Sequence, residues 1–140
     1  MNCNHPFLAC DCVVFDGRGR LLLIRRKNEP YQGYYALPGG FMETGETAER
    51  AALRELKEET GLDASKPRLV GVYSDPKRDP RHHTVTITYL IFVDDVVPAA
   101  GDDAASAEFV ENWDGLALAF DHAQMLRDAL ELRAKLAKGC

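Results

Sequence analysis

Apolar and polar positions divide this chain into short apolar runs and two long helical stretches. Residues 8–15, LACDCVVF, form an almost unbroken apolar run, which reads as a buried strand. Asp16-Gly17-Arg18-Gly19 follows as a hairpin turn, and residues 21–24 are the returning strand. Residues 31–35 read as a loop carrying three tyrosines, and Phe41 and Met42 as a short strand before the loop 43–46. From Thr47 to Thr60 the composition is Ala, Arg, Leu, Lys, Glu and Thr, with no Gly or Pro, so a helix is expected. Thr47 suits its N-cap, and Gly61 suits the left-handed residue that ends it. Strands are expected at 68–73, 82–93 and 108–113. The loop 74–81, broken by Pro76 and Pro80, and the acidic loop 94–107 separate them. Residues 122–138 make a second helix whose apolar stripe runs through Met125, Leu126, Ala129, Leu130, Leu132, Leu136 and Ala137. The uneven alternation predicts an α/β fold, a mixed sheet with a helix on each side, built as one domain over residues 1–140.

Composition narrows the function. At 140 residues with 46% hydrophobic and 28% charged positions, the chain has the profile of a single globular domain. Its net charge of −5 argues against a general nucleic-acid surface, because phosphate backbones need positive patches. Any polyanionic ligand must then be met by local Arg or Lys, or by metal ions. No apolar run reaches the ~18 residues of a membrane span, and the N-terminus lacks the basic-then-apolar pattern of a signal peptide. A cytoplasmic protein is expected. Cys3, Cys10, Cys12 and Cys140 show no C-x2-C spacing. A zinc site built from Cys3, Cys10, Cys12 and His5 is disfavoured, because Cys10 and Cys12 alternate onto one face of a strand. Reduced thiols are the expectation.

The predicted first helix carries the candidate chemistry. Glu55, Glu58 and Glu59 lie at i, i+3 and i+4, so three carboxylates share one face. Ala48, Ala51 and Ala52 lie on or beside that face one turn earlier, and their small side chains would leave room for a ligand. Leu53 and Leu56 would anchor the helix to the core. By itself an E-x-x-E-E stripe is a solvated acidic face. The preceding Leu37-Pro38-Gly39-Gly40 changes that reading, since two glycines allow close backbone approach and their carbonyls can join carboxylates around a hard cation. All-oxygen ligation suits Mg²⁺ or Mn²⁺, which bridge to substrate phosphates and assist hydrolysis of a pyrophosphate linkage. Elsewhere, the cluster Arg25-Arg26-Lys27 is either a solvated strand end or a phosphate contact through Arg26. The tyrosines Tyr31, Tyr34 and Tyr35 either pack the loop or stack a nucleobase. His82 and His83 are either surface residues or substrate contacts.

Read at fixed offsets, residues 40–62 are Gly40, five residues, Glu46, seven residues, then Arg54-Glu55-Leu56-Lys57-Glu58-Glu59-Thr60-Gly61-Leu62. This resembles the Nudix box, G-x5-E-x7-R-E-U-x-E-E-x-G-U with U bulky and aliphatic, matched at every specified position without insertion. The flanking YQGYYALPGG, SDPKRDPRHHTVTITY and AFDHAQMLRDAL look like the ADP-ribose pyrophosphatase branch of that family.

The resemblance implies a Nudix-type α/β/α sandwich and a cleft binding Mg²⁺ or Mn²⁺ through Glu55, Glu58, Glu59 and the Gly40 carbonyl. It implies that Arg54 orients those glutamates and that Glu46 supports the loop and helix. The implied reaction is hydrolysis of a nucleoside diphosphate derivative, with ADP-ribose giving AMP and ribose 5-phosphate. Other NDP-X compounds and (d)NTPs are the competing substrates. The catalytic base varies among members. Glu108 is the first later-loop candidate, Glu111 the second, and Glu58 and Glu59 rival them. Arg26, Tyr34, Tyr35, Arg81 and His83 are the expected substrate contacts. A homodimer is an open expectation, since sites of this branch are often completed across one. Some relatives are non-catalytic nucleotide sensors with a degraded box and an added DNA-binding module. The intact box here, with no length to spare for a winged helix, favours an enzyme without nucleic-acid or membrane partners.

Overall fold

The computed structural model describes residues 5–139. Nine consecutive residue pairs join β1 (Phe7–Phe15) to β6 (Thr84–Phe92) in parallel, and this pairing is the spine of one seven-stranded mixed sheet. The strand order is β3 (Tyr35–Ala36), β2 (Leu21–Arg26), β1, β6, β5 (Arg68–Tyr73), with β4 (Gly39–Phe41) on β1 and β7 (Ala104–Val110) on β2. β1 and β2 pair in register only at Phe15 and Leu21, and beyond that point they diverge. The segment from β3 to β4 fills the opening, pairing with β2 on one side and β1 on the other.

Period-two alternation assigns the two faces. Cys10, Cys12, Val14, Tyr89 and Ile91 pack under α1 (Ala48–Thr60). Val13, Phe15, Leu21, Leu23 and Leu90 pack under α2 (His122–Lys138) through Met125, Leu126 and Ala129. The expected sandwich is therefore observed. The thiols of Cys10 and Cys12 are buried and unbridged on the α1 face, where their Sγ atoms donate to the carbonyls of Ala48 and Ala52. Cys3 and Cys140 lie outside the described residues.

Helix α1 has the expected ends. Thr47 Oγ1 accepts from the Arg50 amide at 3.2 Å, and Gly61 adopts a left-handed φ of 76° while its N–H reaches the Lys57 carbonyl. The alanines, however, do not open space for a ligand. Ala51 and Ala52 are fully buried against β1, and small side chains there let the helix approach close enough for the thiol contacts.

Several strand boundaries also differ from expectation: β2 runs on to Arg26, and β6 is Thr84–Phe92 against an expected 82–93. The short strand before the box is Gly39–Phe41, without Met42, and Tyr35 and Ala36 form a strand inside the predicted loop. The last strand begins at Ala104 and ends at Val110. Ala and Ser are weak strand formers, and pairing with β2 overrides their preference. Trp113 instead enters a single 3-10 turn, Trp113–Gly115, with its ring edge-on to Phe15 and its Nε1 donating to the Gly19 carbonyl.

Candidate active site

Helix α2 covers only part of its face of the sheet. Where β1, β4 and β6 begin, that face stays open and floors a cleft of about 550 Å³. Ala9 and Asp11 from β1, and Thr84 and Thr86 from β6, point into it by the same alternation that buries Val13 and Leu90 further along. Glu55, Glu58 and Glu59 form one wall, with Gly39 and Gly40 beside them. Arg26, Arg78, Arg81 and Phe120 stand among the other lining residues. Asp102 and Asp103 close the acidic side. Their loop is tied to the end of α1 by Ala99 N–H to the Thr60 carbonyl and by Gly101 N–H to the Glu59 carbonyl.

Arg54 organises the glutamates. Its Nε and Nη2 make a bidentate pair with Glu46 at 2.9 and 2.7 Å, and Nη2 also reaches the Phe41 carbonyl at 3.0 Å. Its Nη1 donates to Glu55 at 2.8 Å and to Glu58 at 3.2 Å. These bonds, with the Glu43 amide added, hold the Glu46 carboxyl down at about 2. The Glu55 carboxyl moves the other way, raised chiefly by burial. Glu59 is drawn to the backbone instead. Its Oε2 accepts from the Gly39 N–H at 2.8 Å, yet burial, together with Asp11, Glu55 and Asp103 nearby, pushes its carboxyl up to about 8.

Among the described residues, no three acidic, His or Cys side chains stand grouped at ligating distance. Each helix glutamate is instead turned to a donor, Glu55 and Glu58 to Arg54 and Glu59 to the Gly39 amide. The donor set is nevertheless all oxygen, the set that hard divalent cations take. The absence of a side chain at Gly40 is also used. A Cβ there would collide with the Glu55 carboxylate, so this glycine lets backbone and carboxylate oxygen face one another closely. At Gly39 a Cβ would strike the Cys10 carbonyl and Asp11. The residues therefore fit a hard cation.

The expected substrate contacts separate into two groups. Arg26 and Arg81 both enter the cleft, their guanidinium carbons 4.9 and 5.6 Å from the Phe120 ring centre. Arg26 is held by the Pro30 carbonyl and Arg81 by Asp79. Burial and the neighbouring Arg81 charge lower the Arg26 pKa. Tyr34, Tyr35, His83 and Glu108 are not among the cleft-lining residues. Tyr34 is exposed and packs edge-on to Tyr31. The Tyr35 hydroxyl donates to Glu108 at 3.0 Å, and its ring lies under Arg25. Glu108 pairs with Leu23, and alternation along β2 carries Leu23 and the cleft-lining Ile24 to opposite sides of the strand. Glu111 follows the end of β7 and is likewise absent from the lining. His83 Nε2 contacts the Ser74 carbonyl.

The sequence reading passed over the lining residue His122 and its partner Asp11. His122, the first residue of α2, is buried, and its Nδ1 accepts from the Leu37 N–H at 3.0 Å. That bond leaves the ring proton of the neutral imidazole on Nε2, 3.2 Å from Asp11 Oδ2. The signal was Asp11 itself, a carboxylate inside an otherwise apolar strand, which must find a partner. The sequence puts Arg78 in a basic cluster with Lys77, Arg81, His82 and His83, a candidate hold for a ribose and diphosphate. The Arg78 side chain is almost wholly buried at the cleft and clamps the Asp121 carboxylate with bonds of 2.8 and 2.6 Å, so Asp121 precedes α2 without capping it.

The sequence matches the family model described as NUDIX domain over residues 5–133. It is 48% identical over 124 residues to an ADP-ribose pyrophosphatase of Methanocaldococcus jannaschii, covering 89% of this chain and 73% of that protein. Its structure resembles a MutT/nudix family protein from Enterococcus faecalis at TM-score 0.87 and 30% identity, covering 96% of this chain and 64% of that one. It also resembles the NUDIX domain of Shewanella oneidensis NrtR in complex with ADP ribose, at TM-score 0.84 and 28% identity, over 92% of this chain and 89% of that one. A bifunctional NMN adenylyltransferase/ADP ribose pyrophosphatase from Francisella tularensis, complexed with AMP and Mn ion, matches at TM-score 0.81 and 27% identity. This chain is covered to 94% in that match but spans only 43% of the larger protein.

Proposed function

Since the chain belongs to the NUDIX domain family, with a box complete at every specified position, we propose that it hydrolyses the diphosphate of ADP-ribose to AMP and ribose 5-phosphate. It would do so in the cytoplasm with Mg²⁺ or Mn²⁺. The observation that carries this reading is one cleft with glutamates Glu55, Glu58 and Glu59 on one wall and Arg26, Arg78 and Arg81 also in its lining. A substrate whose diphosphate lies between two sugars needs its charge met along its length, and this cleft provides both signs. The likeness to an archaeal ADP-ribose pyrophosphatase supports the choice of substrate.

A divalent cation held by Glu55, Glu58, Glu59 and the Gly40 carbonyl would neutralise phosphate oxygens and lower the pKa of a bound water. The chain's own residues do the rest. Arg54 keeps Glu55 and Glu58 turned to one side while Glu46 anchors its far end. Glu59, turned into the cleft wall by the Gly39 N–H, and Glu58 beside it are the candidates for taking a proton from water once a cation holds them ionised. Arg26 and Arg81, backed by Phe120, present planar donors to the second phosphate. Asp11, oriented by His122, lies on the cleft floor as an acceptor for a sugar hydroxyl.

The test is ³¹P NMR of ADP-ribose with enzyme and Mg²⁺. Loss of the diphosphate resonances and growth of two monophosphate signals, assigned by added AMP and ribose 5-phosphate, is expected. A diphosphate that persists under conditions where the enzyme cleaves another nucleotide overturns the substrate assignment.

A further inference from the structure

The tyrosines that the sequence offered for base stacking lie outside the cleft, yet the cleft has an aromatic rim of its own. We propose that Phe41 and Phe7, with His82 beside them, form the seat for the nucleobase; this rests on the reading of the cleft as a nucleotide site. The strand register places these rings together. Phe41 on β4 pairs with Ala9 on β1, and Phe7, two residues before Ala9, pairs with Thr84 on β6, so Phe41, Phe7, Ala9 and Thr84 share the open face. Phe41, Ala9 and Thr84 all line the cleft, and Phe7 and His82 stand just outside its lining, against Phe41. The rings touch one another: Phe7 to His82 at 4.2 Å between centres, Phe7 to Phe41 at 5.7 Å, Phe41 to His82 at 6.2 Å.

Two features separate this group from ordinary packing. Phe7 and Phe41 are 37% and 46% exposed, and neither belongs to a core cluster among the described residues. Lone exposed apolar side chains are normal, but three rings in contact at the mouth of a charged cleft mark a binding surface. The second feature is the fate of the other cleft aromatic. Phe120 is surrounded by Arg26, Arg81, Tyr31 and His122, which occupy its ring, whereas Phe41 keeps nearly half its surface open.

Phe41 also directly follows Gly40, and its carbonyl is held by Arg54 at 3.0 Å. A base stacked there keeps its own phosphate near the helix glutamates and leaves Arg26 and Arg81 for the distal phosphate and ribose. Stacking reads the area of a ring and not its hydrogen-bond edge, so this seat favours purines over pyrimidines and discriminates weakly among purines.

The experiment is calorimetric titration of AMP into the protein at saturating Mg²⁺; AMP has no diphosphate to cleave, so binding is read without turnover. Wild type is compared with Phe41→Leu, which keeps apolar bulk, and with Phe41→Ala and Phe7→Leu. Loss of one stacking partner should raise the Kd for AMP roughly tenfold in Phe41→Ala and severalfold in Phe41→Leu. Titration of ribose 5-phosphate should give the same Kd in all four proteins. Intermolecular NOEs in the wild type should run from adenine H2 and H8 to the Phe41 and Phe7 ring protons. Folded Phe41 variants with wild-type AMP affinity, or NOEs to Tyr34 or Tyr35, overturn the seat. Should the wild type cleave a different nucleotide, the same titration with that nucleoside monophosphate decides the seat, and only the ADP-ribose assignment falls.

Discussion

Replacing Gly40 by Ala separates the cation site from the fold. The new Cβ falls on Glu55 Oε2, closer than the 3.0 Å below which real Cβ contacts essentially never occur. Glu55 must swing away, and it can, because the obstacle is the end of a flexible side chain. The swing gives up the Arg54 Nη1–Glu55 bond of 2.8 Å. A hydrogen bond between charged groups is worth about 1.5–3 kcal/mol at most. Arg54 retains Glu46 and the Phe41 carbonyl, so the net loss should stay near 1 kcal/mol, partly offset by the ~0.5 kcal/mol that Ala gains over Gly in the unfolded chain. The melting temperature should fall by roughly 2–4 °C or less. Activity should fall about 10²-fold or more, the scale of losing one preorganised electrostatic contact.

Gly39→Ala and Gly101→Ala are the controls. There the Cβ meets backbone, the Cys10 carbonyl at Gly39 and the Glu58 carbonyl at Gly101, which cannot swing. Both should cost about 1–3 kcal/mol of stability or more. Melting curves in EDTA and a Mg²⁺ titration of kcat decide the matter. If Gly40→Ala keeps wild-type kcat and cation affinity, the Gly40–Glu55 cradle is not where the cation sits.

Glu58→Gln and Glu59→Gln should each lower kcat about 10²-fold or more while leaving the EDTA melting temperature unchanged or slightly raised; near-normal turnover in both removes the metal-site account. In EDTA, stability should fall as pH rises from about 4.5 to about 8 and level off above that. The folded-state carboxyl of Glu59 is raised, so its contribution is fully present below the ordinary carboxylate range and is lost as the folded group ionises. Glu59→Gln should flatten that fall between about pH 4.5 and 8, and Mg²⁺ should stabilise the wild type more at pH 9 than at pH 6; an equal fall in mutant and wild type refutes the assignment. At the acid end Glu46 has the opposite sign: its stabilising pairing with Arg54 is lost as pH drops from about 4.5 toward 2. Glu108→Gln, which alters a contact to Tyr35 outside the cleft, should leave kcat within about twofold, and a loss of 10²-fold would restore Glu108 as the base.

The box helix was fully legible in the sequence. Its cap, its left-handed end and the shared glutamate face all follow from local spacing, and local interactions decide them. What depends on pairing was not. Glu108 could not be assigned to a face while the start of β7 was unknown, since β7 opens on Ala104-Ala105-Ser106-Ala107 and takes its strand form from β2. The tyrosines fell the same way, because Tyr35 and Ala36 pair with β2 and send Tyr35 to one side and Ala36 to the cleft. Ala51 and Ala52 were taken for free space because composition alone does not say which flank of a helix meets the sheet. Asp11 and His122 lie far apart in sequence, and only the packing of α2 on β1 brings them together.

A substrate panel at equal Mg²⁺, comparing kcat/KM for ADP-ribose, NADH, diadenosine polyphosphates, dGTP and 8-oxo-dGTP, tests the central claim most directly. ADP-ribose should lead. A triphosphate brings more negative charge to the acidic wall and leaves sugar-binding groups such as Asp11 unmatched, at about 1–3 kcal/mol for each buried polar group. A triphosphate that exceeds ADP-ribose tenfold or more would contradict the claim, leaving a Nudix hydrolase of another specificity.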